Sequence, residues 1–530
     1  MQWDAIAVFI FFFLLVTVLG FVAARWRRGV LNQIHEWGLA GRRFGTVIVW
    51  FLLGGDLYTA YTFVAVPGAM YGKGAVSGFF AIPYTLFVYP LVFLLMPKFW
   101  AVCKQRGYVT ASDFVRDRFG SSALALAVAF TGILATMPYI ALQMFGIEVS
   151  IAALGIQPRI PIFGVPVDIP LIVAFIILAA YTYTSGLRAP AMIALVKDVM
   201  IFILLFAVII AIPIQLGGFK NIFNAVHNYA TAHPKTFVDA PIPPSLYAAY
   251  STLALGSALA LFLYPHALTG VLSSNSQKVV KRNTALLPAY SLMLGFLALL
   301  GFMALAKNVK LPAQYGSNFA VPALINVSFP SWFTGFAFAA ISIGALVPAA
   351  VMSIAAANLF TRNVYKEYIK KDASEKEESQ VAKLTSLVVK FGALLFILFI
   401  VPQQVIYFQL LGGIWILQTL PSVFLGLYTR WFNRGALLVG WAVAMILGTW
   451  MFFAAGNNPT YPAINLGFMT LPTMYTAFTV LIVNLVLAVV LTPVFEAIGV
   501  RRGQDATSPS DYVEETAPAE PVETGREALG

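Results

Sequence analysis

The chain has 530 residues, of which 60% are hydrophobic and only 10% are charged. Soluble domains carry about 25% charged residues, so this composition excludes a soluble protein and indicates a polytopic membrane protein. The net charge is +11, but the basic residues cluster in alternate loops, which argues against a nucleic-acid partner. The single cysteine, Cys103, excludes an intrachain disulfide.

Thirteen apolar segments are long enough to be membrane spans, because about 20 apolar residues cross the hydrocarbon core. No basic residue precedes the first segment and Arg25 follows it, so we expect a retained span rather than a cleaved signal peptide. The predicted spans, numbered 1 to 13 in chain order, are residues 5–25, 45–70, 77–96, 122–154, 169–185, 190–215, 246–270, 283–306, 331–361, 384–401, 403–427, 434–455 and 472–495.

The distribution of Lys and Arg predicts the orientation of these spans. With the N-terminus outside, 25 of the 33 basic residues fall in inside loops or in the C-terminal tail, and six fall in outside loops. Positive charge is enriched on the cytoplasmic side of membrane proteins. We therefore predict a multi-pass protein of the plasma (inner) membrane, with its N-terminus outside and its C-terminus in the cytoplasm.

Asp56 is the one charged residue between Arg43 and Lys73, in the middle of predicted span 2. A carboxylate at membrane depth costs a few kcal/mol and by default marks a functional site. Gly54 and Gly55 weaken the helix beside it. Many secondary transporters build an ion or substrate site where a helix opens at the bilayer midplane.

Predicted span 7 carries a second interruption, since Gly256 and Ser257 precede Pro265 and His266. Proline within a helix removes a hydrogen bond and clashes with the preceding turn. Two interrupted helices at corresponding positions of two oppositely oriented five-span units point to a transporter site. The alternative is that these glycines and prolines serve helix packing alone.

Four motifs resemble the sodium/solute symporter family, in the order and topology of that family. They are Leu-Gly-Gly-Asp-Leu at 53–57 with Val-Pro-Gly-Ala-Met-Tyr at 66–71, Tyr-Pro-His at 264–266 with the basic loop 273–282, residues 358–366, and residues 424–428 with 433–436. Within the family, residues 184–191 with 197–198, and residues 346–357, most resemble the monocarboxylate (lactate and pyruvate) permease branch.

The resemblance covers roughly residues 5–490 and implies an all-α, leucine-transporter-type fold with a five-plus-five inverted repeat in spans 2–11. The expected units are an N-terminal span and cytoplasmic loop (1–44), a first repeat (45–215), a second repeat (216–427) with an outer loop at 216–245, two C-terminal spans (428–502), and a tail (503–530). The tail is rich in Glu and Pro, so we predict that it is disordered and cytoplasmic.

The resemblance also implies a sodium ion between spans 2 and 9, held by backbone carbonyls, since Na⁺ prefers oxygen ligands. The carbonyls would come from Gly54, Leu57 and Gly344.

The family adds two adjacent hydroxyl side chains on span 9, and this sequence departs from that pattern. Val347 and Pro348 occupy those positions, and neither has a hydroxyl. A register anchored on Met352 instead supplies one hydroxyl, from Ser353. Pro348 also frees a carbonyl near Gly344, which could replace a lost ligand.

This depletion leaves proton coupling as the alternative, with Asp56 and Asp198 as proton carriers. Asp198 matches an acid that the family keeps on span 6. It follows Lys197, so a local ion pair near the inner face is the other interpretation.

The substrate is expected at the midplane between spans 2, 4, 7, 9 and 11. A small carboxylate needs hydrogen-bond donors and the positive end of a half-helix, which the outer half of span 2 would offer. Packing is the alternative role for the aromatic candidates, and a core role for the histidine. The candidate residues are Tyr58, Thr59, Tyr139, Gln143, Tyr264, His266, Trp415 and Gln418.

The sequence therefore predicts a secondary active transporter that imports a small organic solute by symport with Na⁺ or H⁺, most plausibly a monocarboxylate such as lactate or pyruvate. Proline, pantothenate or another solute is the alternative, and a channel, a sensor or a membrane-embedded enzyme is less well supported. We expect no cofactor and no catalytic residues. The expected partners are membrane lipid, the carboxylate and the coupling cation, without nucleic acid or an obligate protein partner.

Overall fold

The computed structural model describes residues 2–26, 29–156, 159–162, 165–399, 404–465, 467 and 470–513. Each of the thirteen predicted spans coincides with helix in these residues. The helices are α1 Trp3–Val22, α2 Ile34–Leu39, α3 Thr46–Gly55, α4 Val66–Lys73, α5 Ala81–Gln105, α6 Ala111–Phe119, α7 Ser122–Ala153, α8 Ile169–Ser185, α9 Arg188–Gln215, α10 Phe219–Ala232, α11 Tyr247–Leu261, α12 Pro265–Leu272, α13 Gln277–Leu292, α14 Leu294–Ala306, α15 Ala320–Ser328, α16 Ser331–Phe360, α17 Glu375–Phe399, α18 Val405–Ile416, α19 Leu420–Val423, α20 Arg434–Ala454 and α21 Thr476–Ala497.

Ten helical stretches of the described chain are long and apolar enough to cross a membrane, and the bent pair α11–α12 makes an eleventh. Two shorter apolar helices, α3 and α8, fill predicted spans 2 and 5. These helices confirm the all-α polytopic fold.

The described strands form short antiparallel hairpins in loops between helices. One hairpin lies between α7 and α8, and two small pairs lie between α20 and α21. The pairs are β1 Arg159–Ile162 with β2 Val165–Asp168, β3 Thr460–Tyr461 with β6 Met474–Tyr475, and β4 Ile464–Asn465 with β5 Thr470–Leu471.

Both predicted helix breaks are present. In span 2, α3 ends at Gly55, and a π-helical turn at Tyr61–Ala65 precedes α4. In span 7, α11 and α12 are bent by 45° around a three-residue break. Pro265 is the first residue of α12, where a missing N–H costs no intrahelical hydrogen bond.

Helix α7 lies against both breaks, and a glycine allows each close approach. A Cβ atom on Gly146 would overlap Ala60 of the span 2 break. A Cβ atom on Gly132 would lie 2.9 Å from Pro265 at the span 7 break. Small residues let membrane helices approach closely, so these glycines hold α7 next to the bundle centre.

The loop between spans 3 and 4 is fixed to the end of α16. Thr110 and Asp113 form a reciprocal cap at the start of α6. The Asn363 amide, just past α16, donates to Asp113 Oδ1 at 2.8 Å. We call the end of the bundle that carries this loop and the other Arg- and Lys-rich loops the basic end.

Our prediction that the tail is disordered is wrong for residues 503–513, which pack on the basic end. Asp505 lies 2.7 Å from Arg118 and 3.2 Å from Arg430. Asp511 lies 2.8 Å from Arg106, within a 3₁₀ turn at Pro509–Tyr512. The composition of the tail suggests that its acidic residues are solvated. In the structure, two of them instead form ion pairs with arginines of the loops, and these pairs hold residues 503–513 in place. Residues 514–530 lie outside the described residues.

We predict that Asp505→Ala releases this tail segment. Arg118 and Asp505 are only 9% and 8% exposed, and breaking a buried ion pair leaves its partner uncompensated. Amide hydrogen exchange of residues 503–513 should accelerate at least about tenfold. Asp372→Ala, which removes an exposed acid from the loop before α17, is the control and should leave this exchange unchanged. Equal exchange in the Asp505→Ala variant and the wild type would contradict the prediction.

Candidate functional site at the two helix breaks

The two breaks meet at the centre of the bundle through Asp56 and His266. His266 Nε2 lies 3.3 Å from Asp56 Oδ2, and the two side chains are 1% and 11% exposed. Asp56 Oδ1 and His266 Nδ1 are buried and have no hydrogen-bond partner among the described residues. The pair thus joins the two repeats and keeps polar atoms available.

Aromatic rings surround this pair. The Tyr139 ring lies 5.4 Å from the His266 ring and 5.6 Å from the Tyr264 ring, measured between centroids. Tyr61, on the π-helical turn after the span 2 break, lies 6.4 Å from Tyr139. Spans 2, 4 and 7 therefore contribute to one aromatic cluster, which includes the candidate substrate residues Tyr139, Tyr264 and His266.

Two small cavities lie on either side of the span 7 break. The first cavity, which we call the outer-side cavity because the sequence predicts that side to be the outer one, is bounded by Tyr264 and α11, and about 30 Å³ of it can hold the centre of a water molecule. The second cavity extends from Pro265 and α12 to Thr110 at the basic end. About 20 Å³ of it can hold the centre of a water molecule. Each has room for water, so the span 7 break has a small void on either side.

Gln143 of α7 satisfies the opened backbone of span 2. Its Oε1 accepts a hydrogen bond from the Ala60 N–H at 3.1 Å. Its Nε2 is buried and has no hydrogen-bond partner in the described part of the chain. Thr59 helps from within the break, because its hydroxyl accepts from the Tyr61 N–H at 3.0 Å. Gln143 therefore presents a free donor next to the break.

Lys197 and Asp198 form an ion pair that lies against the break in span 2. Lys197 Nζ is 3.1 Å from Asp198 Oδ1, and both side chains are fully buried. Lys197 also donates a hydrogen bond to the Gly55 carbonyl, the last residue of α3. The ion-pair interpretation of Asp198 is thus the one that the geometry supports, although the pair contacts the break itself.

The span 9 side of the expected sodium site offers little to a cation. Gly344 faces the break, since a Cβ atom there would lie 3.5 Å from the Tyr58 carbonyl oxygen. Val347 is buried and apolar, and the Ser353 hydroxyl donates to the Ala350 carbonyl of its own helix at 2.8 Å. On the span 2 side, the Gly54 carbonyl accepts from the Leu57 N–H.

No group of three or more His, Cys, Asp or Glu side chains suited to a metal ion occurs among the described residues. The side-chain chemistry of the centre is therefore that of single acids, amides and phenols.

Three of the predicted substrate residues lie outside the cluster. The Tyr58 hydroxyl donates to the Tyr290 carbonyl at 2.6 Å. Trp415 donates to Thr449 of α20 at 2.8 Å. Gln418 donates to the carbonyls of Ile414 and Ala477, and so links span 11 to span 13. Each of these three side chains is thus engaged in a hydrogen bond outside the aromatic cluster, although the Tyr58 backbone lies within the span 2 break.

Sequence reasoning missed several residues of the outer-side cavity. They come from the π-helical turn, span 3, span 11 and the end of β6. For the tyrosines among them, a polar hydroxyl within an apolar segment was the sequence feature that could have marked them as candidates. They are Tyr61, Tyr84, Gln409 and Tyr475.

We predict that Asp56 and His266 are energetically coupled. In a double-mutant cycle of Asp56→Asn and His266→Gln, the changes in unfolding free energy should depart from additivity by about 0.5–3 kcal/mol. Denaturation in detergent measures each term. Glu148 instead accepts from Tyr315 at 3.3 Å, so Glu148→Gln with His266→Gln is the control cycle and should be additive. Additive behaviour of the Asp56 cycle would rule out the contact.

Comparison with known proteins agrees with this arrangement. The model of the Sodium:solute symporter family matches residues 37–448. A "Monocarboxylate transport permease protein" of Rhizobium johnstonii is 53% identical over 494 residues, which cover 93% of this chain and 97% of that relative. YodF, an uncharacterised symporter of Bacillus subtilis, is 32% identical over 499 residues, with 93% and 95% coverage.

Among solved structures, a substrate-bound, outward-open Na⁺-coupled sialic acid symporter has the same fold. It matches with a TM-score of 0.69 at 17% identity and covers 93% of this chain and 98% of its own. The fold, the paired helix breaks and the family match lead to one conclusion. The chain belongs to the sodium/solute symporter family and is a transporter, not an enzyme.

Proposed function

We propose that this symporter imports a small monocarboxylate, such as lactate or pyruvate, together with a cation. The observation that carries the proposal is the pair Asp56–His266 between two broken helices, with a free polar atom on each side chain. The substrate class is supported by the Rhizobium johnstonii relative, whose name specifies monocarboxylate transport.

The donors around the pair suit a small anion. Gln143 Nε2 is a buried amide donor without a partner among the described residues. The Tyr139 and Tyr264 rings lie beside His266 in the same cluster, and the Tyr264 hydroxyl donates to the Gln409 carbonyl at 3.5 Å. Hydrogen bonds from neutral donors hold a carboxylate without a fixed Arg, and the small cavities favour a solute of a few heavy atoms.

The two cavities support alternating access at a fixed central site. In this scheme the outer-side cavity and the cavity that reaches the basic end open in turn, while the breaks of spans 2 and 7 stay at the midplane. The excess of Lys and Arg at the basic end supports a cytoplasmic position for that end in the plasma membrane, with the N-terminus outside.

Initial uptake of labelled lactate into proteoliposomes tests this function. One arm applies an inward Na⁺ gradient at equal pH, and the other applies an inward H⁺ gradient without Na⁺. We expect accumulation under one of these gradients and none without a gradient. No accumulation under either gradient would contradict the monocarboxylate assignment, and proline and pantothenate would be tested next.

We predict that Asp56→Asn abolishes coupled uptake while the protein still inserts. The substitution removes the carboxylate that contacts His266 and leaves the size of the side chain unchanged. Glu148→Gln is the matched control, since it neutralises another acid within a span, one that accepts a hydrogen bond from Tyr315. Normal gradient-driven uptake by Asp56→Asn would remove Asp56 from the mechanism.

A further inference from the structure

The span 2 break already holds a cation of the protein itself. Lys197 donates to the Gly55 carbonyl, which is freed because α3 ends there. Its ammonium is fully buried and paired with Asp198. Lys197 therefore occupies the freed carbonyl and places its positive charge beside the Asp198 carboxylate, whose oxygens have no hydrogen-bond partner in the described part of the chain.

There is little space for a second cation beside it. A Cβ atom on Gly55 would lie 2.7 Å from Lys197 Nζ and 2.9 Å from both carboxylate oxygens of Asp198. A sodium ion coordinated by the same carbonyl would also stand next to a positive charge in a medium of low polarity, where like charges repel strongly.

The facing helix gives no compensation. Val347 and Pro348 carry no oxygen in their side chains, and the Ser353 hydroxyl is bonded within α16. A sodium ion bound to the Gly55 carbonyl would have to displace the Lys197 ammonium from it. The residues present do not fit the ion that the fold leads one to expect.

We propose that Lys197 takes the place of the coupling sodium ion at the span 2 break, so that sodium does not bind there. The proposal deepens the proposed symport function and rests on it. In this protein the positive charge at the span 2 break is the Lys197 ammonium, which is covalently part of span 6. A cation that accompanies the substrate then binds elsewhere, and the Asp56–His266 pair is the other polar group at the breaks.

The test measures binding of radioactive sodium to the purified protein without any organic substrate. The wild type should show no saturable sodium binding. Lys197→Thr replaces the ammonium with a neutral oxygen beside the Gly55 carbonyl and Asp198, and it should show saturable sodium binding, with at least about tenfold more sodium bound than the wild type at the same free concentration. Because no solute is used, failure of the monocarboxylate assignment does not affect this result.

Lys390→Thr is the matched control, because Lys390 is equally buried within a span but bonds Ser386 of its own helix. It should bind sodium as weakly as the wild type does. Equal binding by Lys197→Thr and the wild type would overturn the proposal. If Lys197→Thr fails to insert, the wild type decides, since tight and saturable sodium binding to it would also overturn the proposal.

Discussion

A helix that opens inside a membrane must satisfy its freed N–H and C=O groups within the protein, and this constraint organises the whole centre of the molecule. Each such group left unsatisfied in hydrocarbon costs several kcal/mol. At the span 2 break, the Ala60 N–H is bonded by Gln143 of α7 and the Gly55 carbonyl by Lys197 of α9. The break therefore fixes where α7 and α9 lie, and α7 in turn reaches the second break through Gly132.

The same constraint determines which polar atoms at the centre remain without a hydrogen-bond partner. Side-chain atoms that bond the opened backbone are not available to bind a solute. Polar atoms that make no such bond are available. The side-chain amide nitrogen of Gln143 and one atom each of Asp56 and His266 have no hydrogen-bond partner in the described chain. A site built from them has few donors in fixed positions, which suits a small polar solute better than a large one.

The sequence alone predicted features that depend on local chemistry. The interruptions near Asp56 and Pro265 follow from glycine and proline within apolar segments, and both occur. Contacts between spans could not be predicted in this way, because they depend on how helices rotate against each other. The bond from Lys197 of span 6 to the Gly55 carbonyl at the span 2 break is one example. Trp415 and Gln418 are substrate candidates because their side chains can donate hydrogen bonds. That property does not reveal which neighbour a side chain faces, and both donate to neighbouring helices.

The packed tail segment has a practical consequence for engineering this protein. Asp505 bonds Arg118 of the loop after span 3 and also Arg430 of the loop after span 11, while Tyr512 lies over the Arg118 guanidinium. A fluorescent reporter or affinity tag joined directly after span 13 would remove these contacts and expose two arginines of the basic end. Fusions placed beyond Val513 leave residues 503–513 packed on the basic end, so a label there is attached to a basic end with its native contacts.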